Sequence, residues 1–379
     1  MTARLTPHDD HGRPVPGTGT TGSPPPSREP QPTEPTEGTW SQPLCSESGS
    51  RLLSRTAIIV VSYDSASLLS RNLAQVAQAA PEAAVVVVDN YSGPQARADV
   101  LGLAEEHGWS TVLPTTNLGF GAGMNLGAAQ ALSQGAEVLV LLNPDAVIDR
   151  ANLVRLVTRA AGNPSALVAP VLTDSGGRTV SDGAVVCLAD GSMRSRRSQK
   201  PIPPGGTHPW LSGACLALSG ELFEAVGGFD ARYFLYWEDV DFSSRILASG
   251  GSLVLARDAT AIHDEGGTHA QGHSARAKSD TYYYYNIRNR LLYAGLHLDR
   301  SHQRRWAVTS LAAARETVLR GGRRQLLDSR QPLRTAVTAT RDGLTLLRQV
   351  RRGLLPDPTE PVVRSGPRAA PTDKDATQR

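Results

Sequence analysis

The sequence predicts an α/β fold: a mainly parallel sheet flanked by helices, a helical extension after it, and disordered ends. Three observations predict it. Short apolar runs alternate with helical stretches from residue 56 to about 161, the rhythm of βαβ units. Several of those runs stop on or just before an acidic residue, at the strand ends where open α/β sheets place their ligands. Residues 1–50, by contrast, hold ten of the chain's 26 prolines among Gly, Ser and Thr, too little apolar surface to offset the entropy of ordering. The tail from residue 356 reads the same way.

In chain order, 56–61 (TAIIVV) is a first buried strand, and Ser62-Tyr63-Asp64-Ser65 is the turn after it. Residues 67–80 carry Leu68, Leu69, Leu73 and Val76 near helical spacing. A second strand at 83–88 runs into Asp89-Asn90-Tyr91-Ser92-Gly93. A helix to residue 107 and a short strand at 110–113 follow. The Gly-rich stretch 117–125 (NLGFGAGMN) opens a helix running to 134. Val138 to Leu142 is apolar throughout, as for a strand buried on both faces. Asn143-Pro144-Asp145 ends it abruptly, because Pro removes a donor and keeps its predecessor extended.

Beyond a helix at 153–161 and a strand at 166–172 comes a polar span, 173–208. It contains Arg194-Ser195-Arg196-Arg197 and reads as a hairpin plus a mobile loop. One strand is expected at 210–219, with Ser219 capping a short helix that ends at Gly227-Gly228. Two short strands at 252–256 and 260–263 precede a long helix at 275–296. The expected domains are a disordered segment 1–53, a globular domain 54–299, a helical extension 300–355 and a disordered tail 356–379.

A net charge of +3 gives no reason to invoke nucleic acid. Cys45, Cys187 and Cys215 are odd in number and form no C-x-x-C pair, which fits a reducing, cytoplasmic compartment. The N-terminus lacks a signal-peptide pattern, and no apolar run approaches the roughly 18–20 residues that cross a bilayer. Residues 300–352 hold 13 arginines against three acids, with aliphatic side chains between them. Such a basic amphipathic segment is expected to lie on an anionic membrane surface, peripheral to its inner face; the alternative is a helical extension whose arginines are simply solvated.

Three acids, Asp64, Asp89 and Asp145, at one sheet edge would make an anionic crevice that calls for a cation or a polar ligand. A hard cation, Mg²⁺ or Mn²⁺, takes oxygen ligands and needs only one or two from protein when phosphates supply the rest. Asp145, beside Asn143, is therefore the candidate metal ligand against a nucleotide diphosphate. Asp89 is a candidate for the nucleotide base, with an Asx turn to Asn90 as the alternative. Gly121-Ala122-Gly123 through Gly127 approaches a dinucleotide fingerprint, but that motif belongs after a first strand, and here it follows a weak one. Its glycines and helix N-terminus still allow a nucleotide sugar close to the backbone. In Trp237-Glu238-Asp239-Val240-Asp241, Asp241 has an ion-pair partner four residues on, Arg245. Asp239 lies about 200° away around the helix, which makes it the candidate general base. His263 heads HDEGGTH, a segment suited to closing over a bound metal, with His269 and His273 close by.

Taken together, IIVVSYDS, VVDNYS, NLGFGAGMN, LLNPD, GGFDARYFLYWEDVDF, the H-x-x-G-G step at His263 and YYYYNIRNR resemble, in that order, the inverting glycosyltransferases of family 2. These have the GT-A fold, with a Rossmann-like sheet, and the likeness is nearest to their bacterial rhamnosyltransferase-like branch. The resemblance covers residues 56–298. It implies that Tyr63, Asp64 and Asp89 bind base and ribose, that Asn143 and Asp145 occupy the D-x-D metal position, and that Asp239 is the catalytic base. His263 would be a further metal or diphosphate contact. Asn117, Gly119, Phe120 and Asn125 complete the donor set; Trp210, Gly213, Trp237, Glu238, Arg288 and Asn289 are candidates for the acceptor cleft. Asn143 stands where the family has an acid, and Ser62 where many relatives have Asn. The activity so implied is metal-assisted inverting transfer of a sugar, rhamnose among the candidates, from a nucleotide diphosphate to a glycan or lipid-linked acceptor in cell-envelope polysaccharide synthesis. The competing readings are a nucleotidyltransferase, for which SYDS offers no basic Gly-rich loop, and an inactive sugar-nucleotide-binding protein.

Overall fold

The computed structural model describes residues 46–195, 197–264 and 278–359. The expected mobile ends and the segment carrying His269 and His273 lie largely outside them. Helix α1 (Ser46–Leu53) comes first among the described residues, inside the segment 1–53 expected to be disordered. Leu53 is fully buried in the sheet's core. An eight-residue helix with only two leucines is too short to show a period, which is why it reads as an unfolded segment.

Strand β1 (Thr56–Ser62) leads into α2 (Ala66–Leu68), a π-helical turn Leu69–Leu73 and α3 (Ala74–Ala79). Then follow β2 (Ala84–Asp89), α4 (Pro94–His107), β3 (Ser110–Val112), α5 (Phe120–Ser133), β4 (Val138–Leu142), β5 (Ala146–Val147) and α6 (Arg150–Gly162). The chain continues with β6 (Ala166–Thr173), β7 (Thr179–Ser181), β8 (Ala184–Cys187), β9 (Met193–Ser195), β10 (Thr207–Trp210), β11 (Cys215–Ser219), α7 (Gly220–Ala225), α8 (Glu238–Ala248) and β12 (Ser252–His263). Helices α9 (Asp280–His297), α10 (Arg300–Val308), α11 (Ser310–Leu319), α12 (Gln325–Asp328) and α13 (Gln331–Arg352) complete the described chain.

The main sheet has the order β3-β2-β1-β4-β11-β6-β12-β5, with β7 added to β6. It is parallel from β3 to β4 and again between β6 and β12; β11 runs antiparallel to both its neighbours. Every residue of β1 and β4 is buried. Ile58, Val60, Val140 and Leu142 enter the core on one face, and Ala57, Ile59, Leu139 and Leu141 the core on the other. That two-sided burial is why these strands read as unbroken apolar runs.

Two expectations about strands need correction. The single strand expected at 210–219 is two: β10 belongs to a small sheet, β10-β8-β9, and β11 to the large one. Conversely, 252–263 is one strand whose register with β6 shifts between Ala256 and Thr260. Ser219 caps α7 as expected, accepting the Leu222 N–H at 3.1 Å. At the C-terminal end, α13 lies along α9. A single apolar cluster joins Tyr233, Trp237 and Val240 to Leu291, Tyr293, Trp306 and Leu347, so the helical extension packs directly against the loop that precedes α8.

Candidate active site

The carboxyl ends of β1, β2 and β4 lie at one edge of the sheet, with Ser62 opposite Asp89 across β1 and β2. Because β11 is antiparallel to β4, its beginning meets the end of β4, and the Asn143 N–H donates to the Ala214 carbonyl at 2.9 Å. Ala146 pairs with His263 at the end of β12. This brings Asp145 and His263 together: Asp145 Oδ1 lies 3.2 Å from His263 Nε2. The Asn143-Pro144-Asp145 turn is steadied from the π turn, where Asn72 Nδ2 donates to the Pro144 carbonyl at 2.9 Å. Nothing in the sequence singles out Asn72, and a π turn beside a functional loop is a common arrangement.

The loops after β1 and β2 face each other, with the Asp64 N–H donating to Ser92 Oγ. Tyr63 and Asp64 are exposed, and Asp64 takes a left-handed backbone with φ of 50°. Asp89 is 1% exposed and paired with Arg97, whose Nε lies 2.5 Å from Oδ2; its other oxygen has no partner among the described residues. Arg97 also covers the Tyr91 ring at 4.9 Å. Asn90, expected only to complete a turn, instead ties the Gly-rich loop down: its Oδ1 accepts the Leu118 N–H and its Nδ2 donates to the Gly119 carbonyl, both at 3.0 Å.

That Gly-rich loop also packs against the stretch before α8. Gly119 has φ of 86°, and a Cβ there would come within 2.3 Å of the Phe234 carbonyl oxygen. The Phe120 N–H donates to that same carbonyl at 2.8 Å, and the Phe120 ring packs edge-on against Phe229. Asn117 Oδ1 accepts the Gly119 N–H at 2.9 Å. Asn125 uses both ends of its amide on the backbone of Phe229, each at 2.8 Å. Asn125 thus clamps α5 to the stretch before α8, and Gly119 permits close approach of the Phe234 backbone.

The stretch Phe229–Trp237 delivers the acids. Tyr236 and Trp237 both have left-handed backbones, φ 65° and 75°, a costly conformation for aromatic residues that persists only where the surroundings enforce it. Asn289, fully buried on α9, enforces it by donating to the Leu235 and Tyr236 carbonyls at 2.9 and 2.8 Å. Arg288 donates to Asn289 Oδ1, fixing the amide's orientation, and to the Arg232 carbonyl at 3.0 Å. The Arg-Asn pair named for the acceptor cleft is buried, its donors engaged by the Arg232, Leu235 and Tyr236 carbonyls and by Asn289 itself.

Asp239 then stands in the first turn of α8. Its Oδ2 accepts the Gly213 N–H at 3.0 Å and its Oδ1 the Val240 N–H at 2.8 Å. No cation pairs with it among the described residues. Burial pushes its carboxyl up to about 6, against the lowering effect of those two N–H groups. Burial, with the charge of Asp239 beside it, holds the neighbouring Glu238 carboxyl well above the usual range, and Glu238 Oε2 has no partner among the described residues. Asp241 has the opposite surroundings: it bonds Arg245 at 2.7 Å, as the spacing predicts, and His297 at 2.6 Å, which spacing could not reveal. Despite burial those partners hold its carboxyl low. Two acids two residues apart are thus pushed in opposite directions, the pattern expected where one carboxylate is kept for proton transfer and the other serves as a structural charge.

Asp145 and Asp239 belong to the same edge: Asn143 bonds Ala214, and the adjoining Gly213 bonds Asp239. Trp210 closes the end of β10 with its indole Nε1 unpartnered among the described residues. Behind Trp237 a cavity of about 230 Å³ opens, lined by Asp190, Met193, Asn286, Arg290 and Glu316 among others. No group of three His, Cys, Asp or Glu side chains forms a metal cage among the described residues. The donor set nonetheless suits a hard cation shared with phosphates: one carboxylate, one imidazole nitrogen, and Asn143 Oδ1, a buried acceptor with no partner among the described residues.

Residues 57–218 match the model of Glycosyl transferase family 2. The chain is 27% identical over 259 residues to an N-acetylglucosaminyl-diphospho-decaprenol L-rhamnosyltransferase of Mycobacterium tuberculosis, covering 60% of this chain and 82% of that protein. Among solved structures it is similar to GalNAc-T7 with UDP, GalNAc and Mn²⁺ (TM-score 0.45, 17% identity, 55% of this chain and 43% of that one). It is also similar to the mannosyltransferase PcManGT from Pyrobaculum calidifontis in complex with GDP-Man and Mn²⁺ (TM-score 0.44, 19% identity, 78% and 87%). The matched residues include β2, which ends at Asp89, and the turn that bears Asp145, and they stop before Asp239.

Proposed function

We propose that the protein is an inverting sugar transferase that uses Asp239 to activate a hydroxyl of a lipid-linked glycan acceptor, with L-rhamnose as the transferred sugar. The observation that carries the reading is Asp239 itself: a half-buried carboxylate with no cation paired to it among the described residues, raised to about 6 and held by two N–H groups at the sheet edge that also bears Asp145. A base poised there is ionised at neutral pH yet basic enough to draw a proton from a hydroxyl as that hydroxyl reacts. Asp239 takes the acceptor's proton while the acceptor oxygen forms a bond to the anomeric carbon. The bond from that carbon to the diphosphate breaks on the opposite side, its electron pair leaves with the diphosphate, and the anomeric configuration inverts.

The other residues divide between holding donor and acceptor. Asp89 and the exposed Tyr63–Asp64 turn face the base and ribose. Asp145, His263 and Asn143 would hold a Mg²⁺ or Mn²⁺ ion, which when bound offsets charge on the diphosphate. Trp237 and the polar groups of the adjoining cavity offer the mix of an aromatic face and hydrogen-bonding side chains that suits a sugar ring. The choice of rhamnose and of a lipid diphosphate acceptor follows the mycobacterial relative.

The test is a thermal-shift panel of UDP-, dTDP- and GDP-sugars with and without Mn²⁺, followed by product analysis with Asp239→Asn. One nucleotide should stabilise the protein more with metal than without, and D239N should bind it unchanged while losing transfer at least a thousandfold. Turnover retained in D239N would remove Asp239 from its role. A donor other than dTDP-rhamnose would correct the sugar and leave the reaction standing.

A further inference from the structure

Helix α13 rests one side on α9 and α11. Its outward positions carry Arg334, Arg341, Arg348 and Arg352, and Arg330 immediately precedes it; all five are exposed. At about 100° per residue they fall within a sector of roughly 40°, one straight ridge about 33 Å long. The only acid in the helix, Asp342, lies off this sector, where it accepts the Tyr284 hydroxyl at 2.9 Å and approaches Arg341 at 3.5 Å. Beside the ridge, Leu333 and Val337 point to solvent, 48% and 64% exposed.

We infer that this ridge docks the protein on a bilayer carrying anionic lipid. Five guanidinium groups in a line match a sheet of negative headgroups, and exposed Leu and Val beside them gain from an interface whose outer layer is charged and whose interior is apolar. A nucleic acid would use the charge but not the two aliphatic side chains. The contact is superficial, since among the described residues no helix is long and apolar enough to cross a membrane. Its position gives it a use. α13 packs on α9, and α9 supplies the Asn289 that holds the loop before Asp239, so docking would fix the height of the cleft above the lipid. The inference rests on the lipid-linked acceptor for this use, but not for the contact itself.

The experiment is sedimentation of the full chain with vesicles of phosphatidylcholine alone or mixed with phosphatidylglycerol, at low and high salt, beside the variant R334Q/R341Q/R348Q. A near-surface arginine contributes about fivefold in partitioning, so the triple variant should bind anionic vesicles about a hundredfold more weakly, and salt should weaken the unmodified chain. Equal partition onto both vesicle types would overturn the inference. So would unchanged binding by the variant, or retention on polyuridylate without vesicle binding. Turnover of the donor with a soluble acceptor, measured in the same variant, should not change, which keeps failure of the docking separate from failure of the transferase reading.

Discussion

Asp239 and Asp241 are neighbours with opposite fates, and the difference is in what each touches. An unfolded aspartate titrates near 3.9, so a folded-state value of about 6 for Asp239 makes its ionisation a cost to the fold. That cost is absent below about pH 4, grows between 4 and 6, and is complete above. It amounts to the order of 3 kcal/mol at neutral pH. Asp239→Asn should therefore raise the melting temperature by several degrees at pH 7.5 and by much less at pH 4, as calorimetry at the two values would show. Transfer by the unmodified protein should fall about tenfold per pH unit below 6, the limb expected of a base needed in its ionised form. A profile flat from pH 7 to 5 would contradict the assignment. Asp241→Asn should do the reverse of D239N and destabilise, because it strands Arg245 and His297.

Between secondary elements, the decisive contacts run from α9 to the loop before α8. Asn289→Ala leaves the Leu235 and Tyr236 carbonyls without their donor in a buried place. At about 1–3 kcal/mol for each orphaned group, urea unfolding should show a loss of roughly 2–5 kcal/mol, with kcat lowered more than donor affinity. This coupling was not legible in the sequence, since nothing in YYYYNIRNR tells which backbone, more than 50 residues away, an asparagine will reach. The Asp241–Arg245 pair was legible because helical geometry alone brings i and i+4 together. Strands β1 and β4 were legible because burial on both faces leaves no polar position to blur the run. The break between β10 and β11 was not. Two strands of different sheets, joined through Leu211–Ala214, present one apolar run, and only the partners of each half distinguish them. The same short connection supplies the Gly213 N–H that holds Asp239.

Across the whole molecule, the sheet edge and the C-terminal helices share one core. Trp306 is fully buried, stacks with Tyr293 at 6.2 Å, meets Trp237 edge-on at 6.3 Å and donates its indole N–H to the Leu188 carbonyl at 2.7 Å. A Trp306→Ala substitution should cost about 3–5 kcal/mol and, on the proposed reading, lower transfer with it, because the void opens beneath the loop that precedes Asp239. A chain ending at residue 299 should likewise fail to give an active, well-folded catalytic part, which limited proteolysis and activity on the shortened chain would test.

The cluster of Trp237, Tyr293 and Trp306 also makes the protein observable without a label. Two indoles this close, with a phenol ring against both, couple optically and give intense near-ultraviolet dichroism. Trp237 directly precedes Glu238 and Asp239. Titration with donor or acceptor should therefore change the emission of the native protein, and replacing Trp306 by Phe should remove the coupled signal while leaving the emission of Trp237 to follow events in the cleft.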